Sequence, residues 1–527
     1  MNGLVVVNIV LGGVALLAVY TVARRLLGPV WSLLPSTILG VSMPMVYFSR
    51  GTYTEVVSLA LFFAAITWLW SAFRTGRRQE FFFAGVLAGA TSETRIDGVL
   101  GVAAMVVAFL LVILGIARPR LSIPLGRAFA LFALPAVVIT AFSVYDFETN
   151  FHTYVTDLGS QTKALWVLFA LVTVLTAVVL LVQRVVASSR GGRPAPFLLG
   201  GELGDRGATG LGTVLGAIVP LTFAFWAVRP ALFHVHGGNS PSVQAVVEGL
   251  QRAAGAPVDG TRTYDEWSLY WFVWYFGLPF LLAAGIGLGL LVRRAVARHE
   301  PGLLVLTALT FAVSLLYLDK MSITPDQSWA FRRALPLIAP GFVIASVEPI
   351  RLLAGRVKKR SVRFGRLVAA MCIVLVVGGT VSAWTPRTFG TINGNGQAAE
   401  ISAICSRLGD AKDVVLVNLG PDPYGLGLKT FCGVDVVMVS TGPVTSASTA
   451  ATTAHLKELA TRLDPGTPVV TSNESTVPWQ KDDPTPLVTA HVKFWTSRLI
   501  GAPNEISESS RTTWIGTLTA DGTVADR

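Results

Sequence analysis

The chain has 527 residues, 52% hydrophobic and only 14% charged, and its mean hydropathy is +0.60. Soluble domains carry about 25% charged residues, so this balance excludes a cytosolic enzyme, a nucleic-acid-binding domain and a disordered scaffold. The net charge of +11 then has to be read by position, because basic residues gathered in short loops between apolar runs record membrane topology and not a polyanionic partner.

A helix needs roughly 20 apolar residues to cross the hydrocarbon core. Such runs lie at about 3–22, 29–48, 54–73, 80–94, 98–116, 128–145, 164–183, 209–228, 269–292, 302–318, 333–350 and 367–384. About twelve transmembrane helices are therefore expected. The run at 80–94 is short, and 29–48 contains Pro35 and Pro44, which a bundle tolerates where neighbouring groups satisfy the freed carbonyls.

Basic residues orient the spans. Alternate connections hold Arg24 and Arg25; Arg74, Arg77 and Arg78; Arg118, Arg120 and Arg127; Arg184, Arg190, Arg193 and Arg206. The series continues with Arg293, Arg294 and Arg298, then Arg351, Arg356, Lys358, Lys359, Arg360, Arg363 and Arg366. These are 22 residues, against nine in the intervening connections, so the first set is expected on the cytoplasmic side. Met1 would then lie outside with no basic residue or signal peptide ahead of it. Two readings stand: a helix that precedes this chain, or a first helix that is naturally N-out.

Behind Trp384 the pattern turns globular for 143 residues. Val414-Val415-Leu416-Val417, the run Val434 to Val439, and Pro468-Val469-Val470-Thr471 read as strands, with an amphipathic helix at about 449–463. Strands alternating with helices predict a small α/β domain over 385–527 behind a membrane domain over 1–384, placed outside by the even number of crossings. Cys405 and Cys432 both fall in it and form either a disulfide or two unpaired buried thiols; Cys372 is mid-helix. Gly420-Pro421-Asp422-Pro423-Tyr424-Gly425-Leu426-Gly427 follows the first strand but lacks the dinucleotide-binding spacing and reads as a turn.

Ionisable residues at span ends carry the chemistry, since an unpaired charge there is costly. On the expected outer side they form groups: Arg50 with Glu55; Glu93, Arg95 and Asp97; Asp146, Glu148, His152 and Asp157. Further along come Arg229, His234, His236, Arg262, Tyr264, Asp265, Glu266 and Trp267, then Asp319, Lys320, Asp326, Trp329, Arg332 and Arg333. Guanidinium pairs with phosphate, carboxylate takes protons from hydroxyls, and aromatic rings stack on sugars. The competing reading of any one of them is an interface anchor or a helix-end salt bridge. His234 and His236 lack the further ligands of a tetrahedral metal site.

Several of these residues stand in motifs. The run from Ala15 to Gly28, Tyr47-Phe48-Ser49-Arg50, Thr54-Glu55, Phe83 to Ala90 and Thr94-Arg95-Ile96-Asp97-Gly98 occur in an order that resembles the GT-C glycosyltransferases of the protein O-mannosyltransferase and aminoarabinose transferase type. The segment Pro325 to Pro336 resembles a late outer loop of actinobacterial members. The resemblance implies an all-α polytopic membrane protein with a GT-C-like fold and an extracytoplasmic α/β domain, resident in the cell (plasma) membrane. It implies transfer of a sugar from a polyprenyl-phosphate donor to an extracytoplasmic protein, glycan or lipid, with inversion. The partners are then the lipid bilayer, the lipid-linked sugar and that acceptor, with no nucleic acid; no cofactor is expected, a divalent metal being left open. Arg50, Glu55, Glu93, Arg95 and Asp97 become donor-pocket candidates; Lys320, Arg332 and Arg333 lipid-phosphate candidates; Tyr264, Asp265 and Trp267 acceptor-side candidates. The family's catalytic aspartate lies in the first outer loop after the first helix, and this chain starts at what corresponds to the second. No residue is therefore assigned as the catalytic base, and a non-catalytic scaffold of the same fold and a lipid or solute transporter are the alternatives.

Overall fold

The computed structural model describes residues 2–117, 119, 121–150, 205–238, 240–417, 424–439 and 449–526, with scattered helical positions between 167 and 185. His152, Asp157, Arg118, Arg120, Arg184, Arg190, Arg193, most of the expected span at 164–183 and the start of the turn at 420–427 lie outside the described residues. The chain divides into two compact units. One is Leu4–Thr385 with Ser497–Pro503, and the other contains Pro386–Thr496 and the segment from Asn504 onward.

The first unit is helical: α1 (Asn2–Leu27), α2 (Leu33–Gly40), α3 (Met43–Ser49), α4 (Glu55–Thr75), α5 (Arg78–Thr94), α6 (Gly98–Ile113) and α7 (Leu125–Asn150). After the segment that is not described come α8 (Asp205–Leu232), α9 (Pro241–Ala253), α10 (Tyr270–Phe276), α11 (Leu278–Ala297), α12 (Pro301–Asp319), α13 (Ile338–Lys358) and α14 (Val362–Val381). Among the described residues, eight helices are long and apolar enough to cross a membrane, namely α1, α4, α7, α8 and α11 to α14, and α6 is a shorter apolar helix. Helices α4, α12 and α13 bury most of their apolar surface, whereas α1, α8 and α14 leave Val6, Val10, Leu221, Leu367 and Val374 exposed, as lipid-facing helices do.

Two runs expected as single helices are broken, and each break has a local cause. The run at 29–48 forms α2 and α3, because Pro44 in the first turn of α3 has no N–H to continue the ladder and disfavours helical backbone before it. The Val41 carbonyl left at the break accepts the Trp384 indole N–H at 2.8 Å. The run at 269–292 breaks at Gly277, whose φ of 85° suits glycine, and a Cβ there would come within 2.9 Å of the Gly379 Cα. Close approach elsewhere also rests on glycine: Gly216 of α8 and Gly289 of α11 each face the other's carbonyl.

The second unit holds α15 (Gln397–Leu408), β1 (Asp413–Val417), α16 (Tyr424–Cys432), β2 (Asp435–Val439), α17 (Thr449–Ala460), β3 (Pro468–Thr471), β4 (Pro486–Trp495), β5 (Ile506–Leu518) and β6 (Val524–Asp526). Sheet order is β2-β1-β3-β5-β4 with β6 also on β5; β1, β2 and β3 are parallel and β5 runs antiparallel to β3, β4 and β6. The alternation along β1 fills both faces. Val414 and Leu416 pack with Ile404, Leu408 and Leu428, while Val415 and Val417 pack with Leu456 and Val469. Cys405 of α15 and Cys432 at the end of α16 are joined by a disulfide with a Cα–Cα distance of 5.1 Å.

Candidate functional site

Helix ends deliver the charges. α5 stops at Thr94, and the connection Arg95-Ile96-Asp97 turns directly into α6, so a cation and an anion two positions apart must share one turn. Arg95 closes on Asp97 as a fork, Nε to Oδ1 and Nη2 to Oδ2, both at 2.7 Å. Its Nη1 donates to Glu55 Oε1 at the first residue of α4, where a carboxylate also suits the helix N-terminus. Arg332, on the 3-10 turn Trp329–Arg333 that precedes α13, donates Nε to the same Glu55 oxygen at 2.6 Å. Residues 40 and 277 positions from Glu55 thus meet on one carboxylate. Glu55 is fully buried, and its Oε2 has no hydrogen-bond partner among the described residues.

Burial opposes ionisation of Asp97, but the Arg95 charge and hydrogen bonds overcome it and hold the carboxyl below the usual range. Burial likewise works against the Arg95 cation, and Asp97 and Glu55 outweigh it, raising its pKa. Both groups stay charged.

Beside this cluster lies a small cleft of about 20 Å³, open to solvent on one side and walled by Arg95, Asp97, Tyr317, Arg333, Phe62 and Leu337. Arg333 differs from its neighbours. It makes no hydrogen bond or ion pair among the described residues, and its guanidinium sits 5.8 Å from the Tyr317 ring centroid. An aromatic group flanks Arg332: its guanidinium lies 4.0 Å from the Trp329 ring centroid, Trp329 packs edge-on against Tyr53, and Tyr53 stacks on Tyr47. Asp326 stands on the connection leading into the 3-10 turn, where the Thr324 hydroxyl donates to its Oδ1 at 2.6 Å.

The structure therefore brings together Glu55, Arg95, Asp97 and Arg332, with Arg333 on the cleft wall. Arg50 is half-buried at the C-cap of α3, on the loop leading to Glu55. Glu93 is exposed and has Asp146 as its electrostatic neighbour. Lys320 is exposed behind α12 and makes no ion pair among the described residues.

Tyr264, Asp265 and Trp267 form a separate group in which the Tyr264 hydroxyl and the Asp265 carboxylate are already engaged. Asp265 accepts the Met321 N–H and the Thr263 hydroxyl, each at 2.9 Å. Burial raises its pKa against those bonds. Tyr264 is buried beneath Arg262, which lies 4.3 Å from its ring centroid, and packs with Val247 and Leu499. Trp267 stacks on Trp274. These residues pin the 233–268 connection to the end of α12, as does Arg229, which donates to the Leu318 and Asp319 carbonyls at 2.9 and 3.1 Å. His236 pairs with Asp259, and no group of three metal-binding side chains occurs among the described residues. Tyr317 escaped the sequence reading because an aromatic residue inside an apolar run is indistinguishable there from packing.

Comparison with known proteins bears on this end of the chain. The family model for dolichyl-phosphate-mannose-protein mannosyltransferase matches residues 1–145, the stretch that holds Glu55, Arg95 and Asp97 and on which the sequence resemblance rests. No curated protein sequence matches the chain. Among solved structures, ArnT from Cupriavidus metallidurans in the apo state is similar at a TM-score of 0.33 and 12% identity, covering 98% of this chain and 84% of that one. The structure of that protein bound to undecaprenyl phosphate gives a TM-score of 0.29 and 14% identity over 90% and 79% of the two chains.

Proposed function

We propose that the chain is a membrane glycosyltransferase that takes a sugar from a polyprenyl-phosphate donor and passes it to an acceptor on the extracytoplasmic side. The observation that carries this reading is Arg333, a guanidinium with no carboxylate partner among the described residues, on the wall of a cleft beside a neutralised Arg95–Asp97–Glu55–Arg332 cluster. The family match over residues 1–145 supports it. So does the excess of basic residues in the alternate connections, a bias that marks those connections as cytoplasmic and favours an outer location for this cluster. A disulfide in that unit suits an oxidising compartment.

The chemistry follows from charge. A polyprenyl-phosphate sugar carries one negative charge, and its leaving group carries two. A cation on the cleft wall that forms no ion pair among the described residues can meet the charge as it develops, although Asp97 is one of its charge neighbours. The Glu55–Arg95–Asp97 network locks its own charges, so Arg333 is the guanidinium of the cleft wall left to answer the phosphate. Trp329, Tyr53 and Tyr47 supply faces on which a sugar ring can stack.

The test is direct. Purified protein in lipid nanodiscs should bind dolichyl phosphate and consume dolichyl-phosphate mannose when a serine- and threonine-rich peptide or water is the acceptor. Absence of both binding and turnover, across dolichyl- and undecaprenyl-linked donors, overturns the reading.

A further inference from the structure

The basic residues of this chain are not spread evenly over the connections that hold them. Arg356, Lys358, Lys359, Arg360, Arg363 and Arg366 fall within eleven residues at the turn from α13 to α14, and no carboxylate stands between Glu348 and Glu400. Glu348 is already occupied, accepting Nε and Nη2 of Arg351, both at 2.9 Å. All six cations are exposed, and none makes an ion pair among the described residues. Other connections of the same series engage part of their charge: Arg25 donates to the Thr67 carbonyl, and Arg294 pairs with Glu300. A topology signal needs only a bias of a few residues, so six unbalanced cations exceed what orientation asks for.

The turn that carries them is fixed. Ser361 caps α14, its hydroxyl accepting the Phe364 N–H at 3.3 Å, and the Arg360 and Ser361 N–H groups both donate to the Val357 carbonyl. Gly365 lets the two helices touch, since a Cβ there would come within 2.7 Å of the Lys358 Cα. The cations are therefore gathered in one small area, each on a long apolar stem. From that area a stripe runs along α14. Phe364, Leu367, Met371 and Val374 recur at three- and four-residue spacing, which places them on one face, and each is more than half exposed. Arg363 stands four residues before Leu367 and so heads the same stripe.

We propose that this hairpin is a binding site for an anionic phospholipid. The headgroup phosphate sits on Lys358, Lys359, Arg360 and Arg363, and an acyl chain lies along the face from Phe364 to Val374. The site is at the opposite end of α13 from Arg333 and does not depend on the transferase reading. Charge selects the occupant. A zwitterionic headgroup brings its own cation with its phosphate, whereas an anionic one brings net negative charge to a patch that holds no anion of its own. The apolar stripe selects a lipid over free phosphate, which has nothing to lay against Leu367 or Met371. Each basic residue near an anionic surface is worth about fivefold in affinity.

The full chain in phosphatidylcholine nanodiscs, doped with a photoreactive phosphatidylglycerol or a photoreactive phosphatidylcholine, tests this by peptide mapping after illumination. Labelling of residues 356–375 should favour phosphatidylglycerol by at least about tenfold, and raised salt should reduce that preference. Lys358→Gln/Lys359→Gln/Arg360→Gln should lower phosphatidylglycerol labelling there by about 10–100-fold and leave phosphatidylcholine labelling unchanged. Arg351, Arg356, Arg363 and Arg366 remain in that variant to hold the orientation of the hairpin, and its unfolding temperature in pure phosphatidylcholine reports its folding. Lys358→Arg/Lys359→Arg/Arg360→Lys keeps every charge and should keep the labelling. Arg293→Gln/Arg298→Gln, between α11 and α12, should not alter it. Equal labelling by the two lipids in the wild type overturns the proposal without recourse to any variant. Undiminished phosphatidylglycerol labelling in the triple Gln variant also overturns it. So does full competition by inorganic phosphate beyond that of chloride at equal ionic strength, which would make the patch a site for the free anion.

Discussion

Glu55 and Arg333 make opposite predictions although both belong to one cluster. Glu55 is buried and neutralises two half-buried guanidiniums, so Glu55→Gln leaves Arg332 without a carboxylate and should cost about 1–3 kcal/mol. Thermal unfolding in lipid should report that loss, and adding Arg332→Gln should recover part of it. A double-mutant coupling below about 0.5 kcal/mol would mean the pair does not act as one unit. Arg333 makes no such bond, so Arg333→Gln should leave the unfolding temperature unchanged while weakening dolichyl phosphate binding by about 10–100-fold, the worth of one charge-assisted contact. Equal affinity in that variant would remove Arg333 from the phosphate site. Much of the cluster was legible in the sequence, because Glu55, Arg95, Asp97 and Arg332 are charges at the ends of apolar runs. Their convergence on one carboxylate was not, since nothing local links positions 277 residues apart. Asp265 shows the opposite limit: a buried carboxylate between aromatic residues reads as chemistry, yet its oxygens hold the Met321 backbone and the Thr263 hydroxyl.

Among the helices, the contact of α8 with α11 depends on the absence of side chains. A Cβ on Gly216 would meet the Gly289 carbonyl oxygen at 2.7 Å. Gly216→Val therefore has to push the two helices apart, and should destabilise the helical unit by about 1–3 kcal/mol, as overpacking does. Gly126→Val, at a position with nothing near its missing Cβ, is the control and should change the unfolding temperature little. Equal midpoints for the two variants would refute the packing argument. The long apolar helices were plain from hydropathy because length and apolarity are local properties. The breaks at Pro44 and Gly277 were harder to read, because a proline or glycine in a bundle is compatible with either a kink or an interruption. Which occurs depends on partners such as Gly379 and Trp384, far along the chain. The parallel strands β1 to β3 showed as short apolar runs, whereas β4 and β5 are polar on much of their surface and did not stand out.

At the level of the whole molecule, the disulfide makes the compartment of the C-terminal unit testable. Cys405 and Cys432 close a loop of 27 residues, which in the chain-entropy description is worth about 3–4 kcal/mol. Cys405→Ser in the full chain should lower the unfolding midpoint of that unit accordingly. If the unit matures outside the membrane, maleimide added to denatured protein from intact cells should label Cys372 alone, and Cys405 and Cys432 only after reduction. Labelling of all three thiols without reduction would place the unit in a reducing compartment.

The bond between Val41 and Trp384 also has a consequence in time. The carbonyl freed at the α2–α3 break waits for an indole 343 residues further along the chain. At ribosomal rates of about 5–20 residues per second, that partner emerges on the order of 20–70 s later. For that interval the carbonyl lacks this partner, and leaving a buried carbonyl unsatisfied costs several kcal/mol. The α2–α3 break is therefore completed only after the last helix of the unit, Val362–Val381, has been made.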